Sequence, residues 1–268
     1  MAEVRAHELS PATGPEAMLK AEGISKRFGG VEALRDVGIE IRAGELAALV
    51  GDNGAGKSTL VGILSGAIRP DHGRIWCNGQ QVHFHSPIDA RNAGIETVYQ
   101  TLALANHLDV AANLFLGREK YLLRLGPFSI LNRAAMRREA RDLVARTGVQ
   151  IPDIDSSVMN MSGGQRQGVA IARAAGWGSL VVLLDEPTAA LGVQETARVL
   201  EIIRALKRQG ITILMISHNL RQVFGLVDTI WVLRHGQMVG RREVRTTRPE
   251  EIVSMITGVD QAAGNEFA

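Results

Sequence analysis

Five apolar residues, Leu46–Val50, run straight into Gly51-Asp52-Asn53-Gly54-Ala55-Gly56-Lys57-Ser58, and a helical pattern starts near Lys57 and closes at Gly66. A short, unbroken apolar run is what a strand buried on both faces requires, and such strands belong to parallel sheets covered by helices. Glycines 51, 54 and 56 open backbone conformations closed to other residues, so successive N–H groups can turn inward around an anion at the positive end of the helix. Strand, glycine loop and helix in this order predict an α/β core with a phosphate site at a strand's carboxyl end. Within it Lys57 is expected to reach β- and γ-phosphates, Ser58 to offer its hydroxyl to Mg²⁺, and Thr59 to meet an α-phosphate.

Three further strand ends carry polar residues suited to that site. Residues 181–184 are apolar and end in Asp185-Glu186, which emerge where α/β sheets place ligands. Asp185 is expected to hold the metal and Glu186 to polarise an attacking water, a role worth about 10² to 10⁴ in rate. Pro187 then forces the chain outward. Gln100 follows the run 95–99 and His218 the run 211–217, positions fit for sensing a γ-phosphate, with Gln100 also a metal-side donor. Either alone is as readily an ordinary hydrogen-bonded polar group; in company with the glycine loop and the carboxylates they read as one nucleotide site.

Bulk properties narrow the setting. Lys plus Arg number 30 against 28 Asp plus Glu, a net charge of +2, too even to draw nucleic acid by long-range attraction. Arg137, Arg138, Arg141 and Arg146 are interleaved with Glu139 and Asp142, the pattern of a solvated helix face. The single Cys77 cannot form an internal disulfide, and with His83 and His85 it makes too few ligands for a closed metal site. The opening residues lack a charged-then-apolar leader and no apolar run approaches about 18 residues, so the cytosol is the expected compartment and any membrane link is expected through a protein partner.

Along the 268 residues, 1–17 show no period and are expected to be a mobile tail, as are 259–268. Asn78-Gly79 between 74–77 and 80–84 signals a hairpin. Ser86-Pro87-Ile88-Asp89 starts a helix that ends before Gly94. From 101 to 176 strand signals vanish; Asn132 caps a helix with Met136, Ala140, Leu143, Val144 and Thr147 at helical spacing, predicting a helical subdomain. The α/β alternation then returns: Val199, Ile202, Ile203 and Leu206 share a helix face before Gly210, a hairpin turns at His235-Gly236, and a last helix spans 249–256.

Ser162-Gly163-Gly164-Gln165-Arg166-Gln167, about twenty residues before the acidic pair, resembles the signature of ATP-binding-cassette (ABC) ATPases. With the glycine loop, Gln100, Asp185-Glu186 and His218 it makes five ordered motifs, and the resemblance spans 18–258. It implies a P-loop core of mainly parallel sheet, 18–100 with 177–258, an antiparallel β subdomain and an inserted helical subdomain at 101–176. It also implies ATP hydrolysis with ATP and Mg²⁺ bound, and Phe28 stacked on adenine, against the alternative of a core phenylalanine. Ser162 is read as a helix cap that leaves the N–H groups of Gly163 and Gly164 bare for an anion. The family pairs two cassettes head to tail, so Ser162, Gly163, Gly164 and Gln165 would serve ATP on a second cassette.

Several stretches, among them Gly51-Asp52-Asn53-Gly54 and Thr188-Ala189-Ala190-Leu191-Gly192-Val193, look like those of ribose-, xylose- and fructose-type importers. That implies an integral-membrane permease as partner, a sugar-binding protein as an indirect one, and a place on the inner face of the cell membrane. The competing expectations are an importer of another substrate class and a soluble cassette acting on nucleic acid. Gly192 stands where most cassettes have an aspartate, and no role is carried onto it. The leucine-rich stretch 101–131, with Phe115, Tyr121 and Phe128, is either permease-docking surface or subdomain core.

Overall fold

The computed structural model describes residues 17–259, apart from Pro152 and the side chain of Pro127. The expected tails therefore lie almost wholly outside the described residues. The strands are β1 (Ala17–Phe28), β2 (Val31–Arg42), β3 (Leu46–Val50), β4 (His72–Cys77), β5 (Gln80–Val82), β6 (Ile95–Val98), β7 (Tyr121–Leu123), β8 (Ile130–Leu131), β9 (Val181–Asp185), β10 (Thr212–Ile216), β11 (Thr229–Arg234) and β12 (Gln237–Glu243). The helices are α1 (Lys57–Leu64), α2 (Pro87–Asn92), α3 (Val110–Leu114), α4 (Arg133–Thr147), α5 (Gly163–Ala175), α6 (Val193–Arg208), α7 (Leu220–Phe224) and α8 (Pro249–Thr257).

A six-stranded sheet, ordered β12-β11-β3-β10-β9-β6, forms the centre. All its pairings are parallel except the β11–β12 hairpin. Alternation along its strands divides the core into two faces. Leu46, Ala48, Val50, Val182, Leu184, Ile213 and Met215 pack toward α3–α6, whereas Ala47, Leu49, Val181, Leu183, Leu214 and Ile216 pack toward α1 and a second sheet. Each is essentially inaccessible, so burial on both sides explains why these strands read as continuous apolar runs.

The second sheet, β2-β1-β4-β5, is antiparallel and includes the Asn78-Gly79 hairpin. Its two longest strands, β1 and β2, escaped assignment from sequence because repeated register shifts break their alternation of apolar and polar residues. The interval 101–176 departs from a purely helical reading: β7 and β8 pair as a small antiparallel hairpin inside it. Those strands are too short to show a period. On and around the hairpin Leu122, Leu123, Leu125, Phe128 and Ile130 are exposed, so they are not subdomain core, whereas Phe115 is fully buried against Trp177.

The register sets the strand ends side by side. Ile216 pairs with both Leu49 and Asp185, and Val98 with Leu184, so β3, β10, β9 and β6 finish along one edge. Gly51, His218, Glu186 and Gln100 leave the sheet there.

Candidate active site

At the end of β3 the chain needs glycine for contact reasons as well as conformational ones. A Cβ on Gly51 would lie 2.1 Å from Leu233 O, and one on Gly56, which has φ 102°, would lie 2.6 Å from Ala33 O. Gly56 precedes α1 without a side-chain cap, and the first turn of α1 carries no acidic residue. The helix therefore presents unsatisfied N–H groups and its positive end to the loop. Lys57 Nζ donates to Gly51 O and to Asp52 O, both at 2.8 Å, so the lysine is folded back on its own loop. Burial lowers the Lys57 pKa, opposed by the charges of Glu186, Asp52 and Asp185.

Facing the loop, Asp185 ends β9 and Glu186 takes a left-handed conformation, φ 49°, with its N–H bonded to Ile216 O at 3.1 Å. Such a conformation costs of order 1–3 kcal/mol and here turns the chain sharply at the sheet edge. Glu186 Oε1 lies 2.9 Å from His218 Nδ1, a carboxylate and an imidazole tied across two strand ends. Burial, then the neighbouring Glu186 charge, raises the Asp185 pKa, with Lys57 opposing. A cleft of about 630 Å³ is lined by Asn53, Gly54, Gly56, Lys57, Ser58, Thr59, Gln100, Asp185, Glu186 and His218. Ser58, Gln100 and Asp185 offer it hydroxyl, amide and carboxylate oxygens, the hard donor set that suits Mg²⁺.

The cleft also contains residues that sequence did not single out: Glu32 and Ala33 from β2, and His235 and Gly236 from the β11–β12 turn. The turn is tied to the glycine loop by Gly236 N, which donates to Ala55 O at 3.0 Å, and to β2 by Arg35 N, which donates to Gly236 O at 2.8 Å. The Gly236 signal was visible in sequence as a hairpin turn; its contact with Ala55 is tertiary. Gly51, Asp52 and Ala55 shape the loop without lining the cleft. Phe28 stands outside it, 49% exposed at the end of β1 with Lys26 Nζ 5.4 Å from its ring centre, so it is no core phenylalanine.

Ser162, Gly163, Gly164 and Gln165 do not line this cleft either. Ser162 caps α5 reciprocally with Gln165: Gln165 N donates to Ser162 Oγ at 3.4 Å and Ser162 N to Gln165 Oε1 at 2.9 Å. The expectation of bare N–H groups needs correction at Gly164, whose N–H donates to Glu195 Oε1 at 3.2 Å. The cause is the close packing of α6 against α5, with the amino end of each beside the other. Gly163 lines a neighbouring cleft of about 340 Å³ that shares Gln100 and Ala189 with the first.

Farther along α5, Arg173 donates to Ala103 O at 2.9 Å and Leu102 O at 3.0 Å, gripping the loop that follows Gln100. The same loop is held from α3 by the fully buried Asn113, which bonds both N and O of Ala105. Leu102 and Ala103 both have positive φ, so these bonds hold a backbone that would otherwise relax. Nothing in the local sequence marks Arg173 or Asn113 for this work. Cys77 donates to Ala93 O at 3.2 Å, and burial pushes its pKa to about 11, so it is an inert core thiol.

The family model for ABC transporters matches residues 34–189. The fructose import ATP-binding protein FrcA of Rhizobium meliloti is 46% identical over 92% of this chain and 96% of its own length. The xylose/arabinose import ATP-binding protein XylG of Sulfolobus acidocaldarius is 45% identical over 90% of this chain and 94% of its own. Ribose import ATP-binding protein RbsA 2 of Burkholderia ambifaria is 44% identical over 91% of the chain, which covers 47% of that protein. Among solved structures, the ADP conformation of MJ1267, an ATP-binding cassette of an ABC transporter, superposes with a TM-score of 0.74 at 24% identity, over 94% of this chain and all of the other. A dimeric post-hydrolysis state of the cassette MJ0796 bound to ADP and Pi gives 0.71 at 23% identity, over 86% and 100%. At those identities the superpositions speak for the fold.

Proposed function

The chain belongs to the ABC transporter family, and from that membership we propose that it is the ATP-hydrolysing subunit of an importer that takes up a ribose-, xylose- or fructose-like monosaccharide. One observation carries the reading. Lys57, Gln100, Asp185, Glu186 and His218 leave four different strands and line one cleft, in a chain similar over nine-tenths of its length to sugar-import ATP-binding proteins.

The glycine loop and the amino end of α1 bind the phosphates, and Lys57 exchanges its two loop carbonyls for β- and γ-phosphate oxygens. Ser58, Gln100 and Asp185 would hold a magnesium ion, which when bound neutralises charge on the β- and γ-phosphates. Glu186 orients a water for attack on the γ-phosphorus and draws on its proton as the new P–O bond forms and the bond to the ADP oxygen breaks. His218, bonded to Glu186, fixes that carboxylate and senses the γ-phosphate. Phe28 gives adenine an exposed ring to stack on. The products are ADP and phosphate.

Ser162, Gly163, Gly164 and Gln165 serve the ATP held by a second cassette, so that ATP closes a pair of chains and hydrolysis releases it. The cassette proper is 18–258, with 101–176 as the subdomain that meets an integral-membrane permease; a sugar-binding protein acts through that permease. The protein works at the inner face of the membrane, and its even charge gives nucleic acid no purchase. Purified protein is expected to release phosphate from ATP, to co-purify from membranes with a multi-span permease, and to support uptake of a labelled pentose or hexose. Absent turnover, or nucleic acid in place of the permease, would overturn this assignment.

A further inference from the structure

The amino end of α5 already holds an anion, and that anion belongs to the chain itself. Glu195 Oε1 accepts the Gly164 N–H at 3.2 Å while Oε2 accepts the Gly192 N–H at 3.3 Å. One carboxylate thus bridges the second residue of α5 and the residue that precedes α6. The fit depends on the missing side chain of Gly164, where a Cβ would stand 2.9 Å from Glu195 Cβ. The Gly164 N–H, then the Ser162 hydroxyl and the Gly192 N–H, hold the Glu195 carboxyl below the usual carboxylate range, so it is charged at neutral pH.

A carboxylate oxygen seated on a helix-end N–H presents the same chemistry as a terminal phosphate oxygen. One N–H cannot serve both well, and two anions side by side repel. We propose that Glu195 is the resident counter-anion of this helix end, a positioning residue that must surrender Gly164 before the γ-phosphate of ATP on a second copy can take it. Glu195 thereby sets the ATP concentration at which two chains pair. Arg198, one turn farther along α6 and close enough to act on the Glu195 charge, receives the displaced carboxylate. The inference rests on the two-chain reading of the ATP site given above. It also supplies what Gly192 lacks: the acidic group at the start of α6 is Glu195, three residues on, and it faces the signature helix of its own chain.

The test uses the full chain carrying Glu186→Gln, which is expected to pair on ATP without turning it over. Pairing is followed by light scattering against ATP concentration with Mg²⁺ present. Adding Glu195→Gln is expected to lower the ATP concentration for half-maximal pairing by about five- to tenfold, the scale of one charge-assisted hydrogen bond. Glu195→Asp, which keeps the charge but withdraws it by one methylene, is expected to lower it less, and Arg198→Gln to raise it about twofold. These shifts are not what a purely structural cap would give, because loss of such a cap loosens the signature and raises the threshold. A Glu186→Gln chain that pairs, with a threshold unmoved or raised by both Glu195 variants, overturns the role of Glu195 alone. A Glu186→Gln chain that stays monomeric at saturating ATP overturns the two-chain reading and this inference with it.

Discussion

The proposed function assigns phosphate to two helix amino ends in this chain, and they are prepared in opposite ways. The end of α1 follows a left-handed glycine, has no side-chain cap and has no acid in its first turn. The end of α5 has a reciprocal Ser162–Gln165 cap and a carboxylate from α6 seated on its second N–H. The first is left open, with Lys57 held close by on loop carbonyls; the second is occupied until something displaces the occupant. An open end binds its ligand outright, whereas a filled end binds by exchange and so responds over a threshold.

The largest test of this contrast is Glu186→Gln, which spares both helix ends and removes the carboxylate that the proposed function sets against the attacking water. Phosphate release is expected to fall by about 10³ while nucleotide stays bound, measured by steady-state turnover and calorimetry. Lys57→Ala strikes the open end. ATP affinity is expected to drop on the order of a hundredfold, seen by titration with a fluorescent nucleotide. An unchanged affinity would mean that the loop lysine is a brace for Gly51 and Asp52 and nothing more.

Arg173→Met acts on the other helix without touching its amino end. Losing two charge-assisted bonds to the main-chain carbonyls of Leu102 and Ala103 is expected to cost about 2 kcal/mol in urea unfolding and to slow hydrolysis through the loosened Gln100 loop. The smallest effect belongs to Glu195→Gln as a stability change. The folded pKa of Glu195 lies below its ordinary value of 4.5, so its contribution is present above that value and is lost as the pH falls through the folded pKa. The melting difference between wild type and variant is therefore expected at neutral pH and should vanish in acid; a difference that persists there would assign the effect to packing.

What could be read in advance follows from how local each signal was. The glycine loop, the acidic pair and the strand-end polar residues all sit beside buried parallel strands, whose apolar runs need no partner to be recognised, and one edge of the sheet gathers them into a single cleft. Strands β1 and β2 were missed because bulges shift their register, and β7 and β8 because three and two residues carry no period. The Ser162 cap was legible since both partners lie within one turn. Glu195 was half legible: its bond to Gly192 spans three residues, but its bond to Gly164 spans thirty-one and exists only because α5 and α6 pack together. Arg173 and Asn113 act through main-chain carbonyls and amides far away or across a turn, contacts that leave no trace in residue type.

Arg173 stands ten residues past Gly163 on a single unbroken helix, so about 15 Å of rigid rod joins the signature to the carbonyls of Leu102 and Ala103. In the two-chain reading such a rod would behave as a crankshaft: a tilt imposed on one journal by an arriving nucleotide would be delivered at the other as a pull on the strand of chain leading back to Gln100.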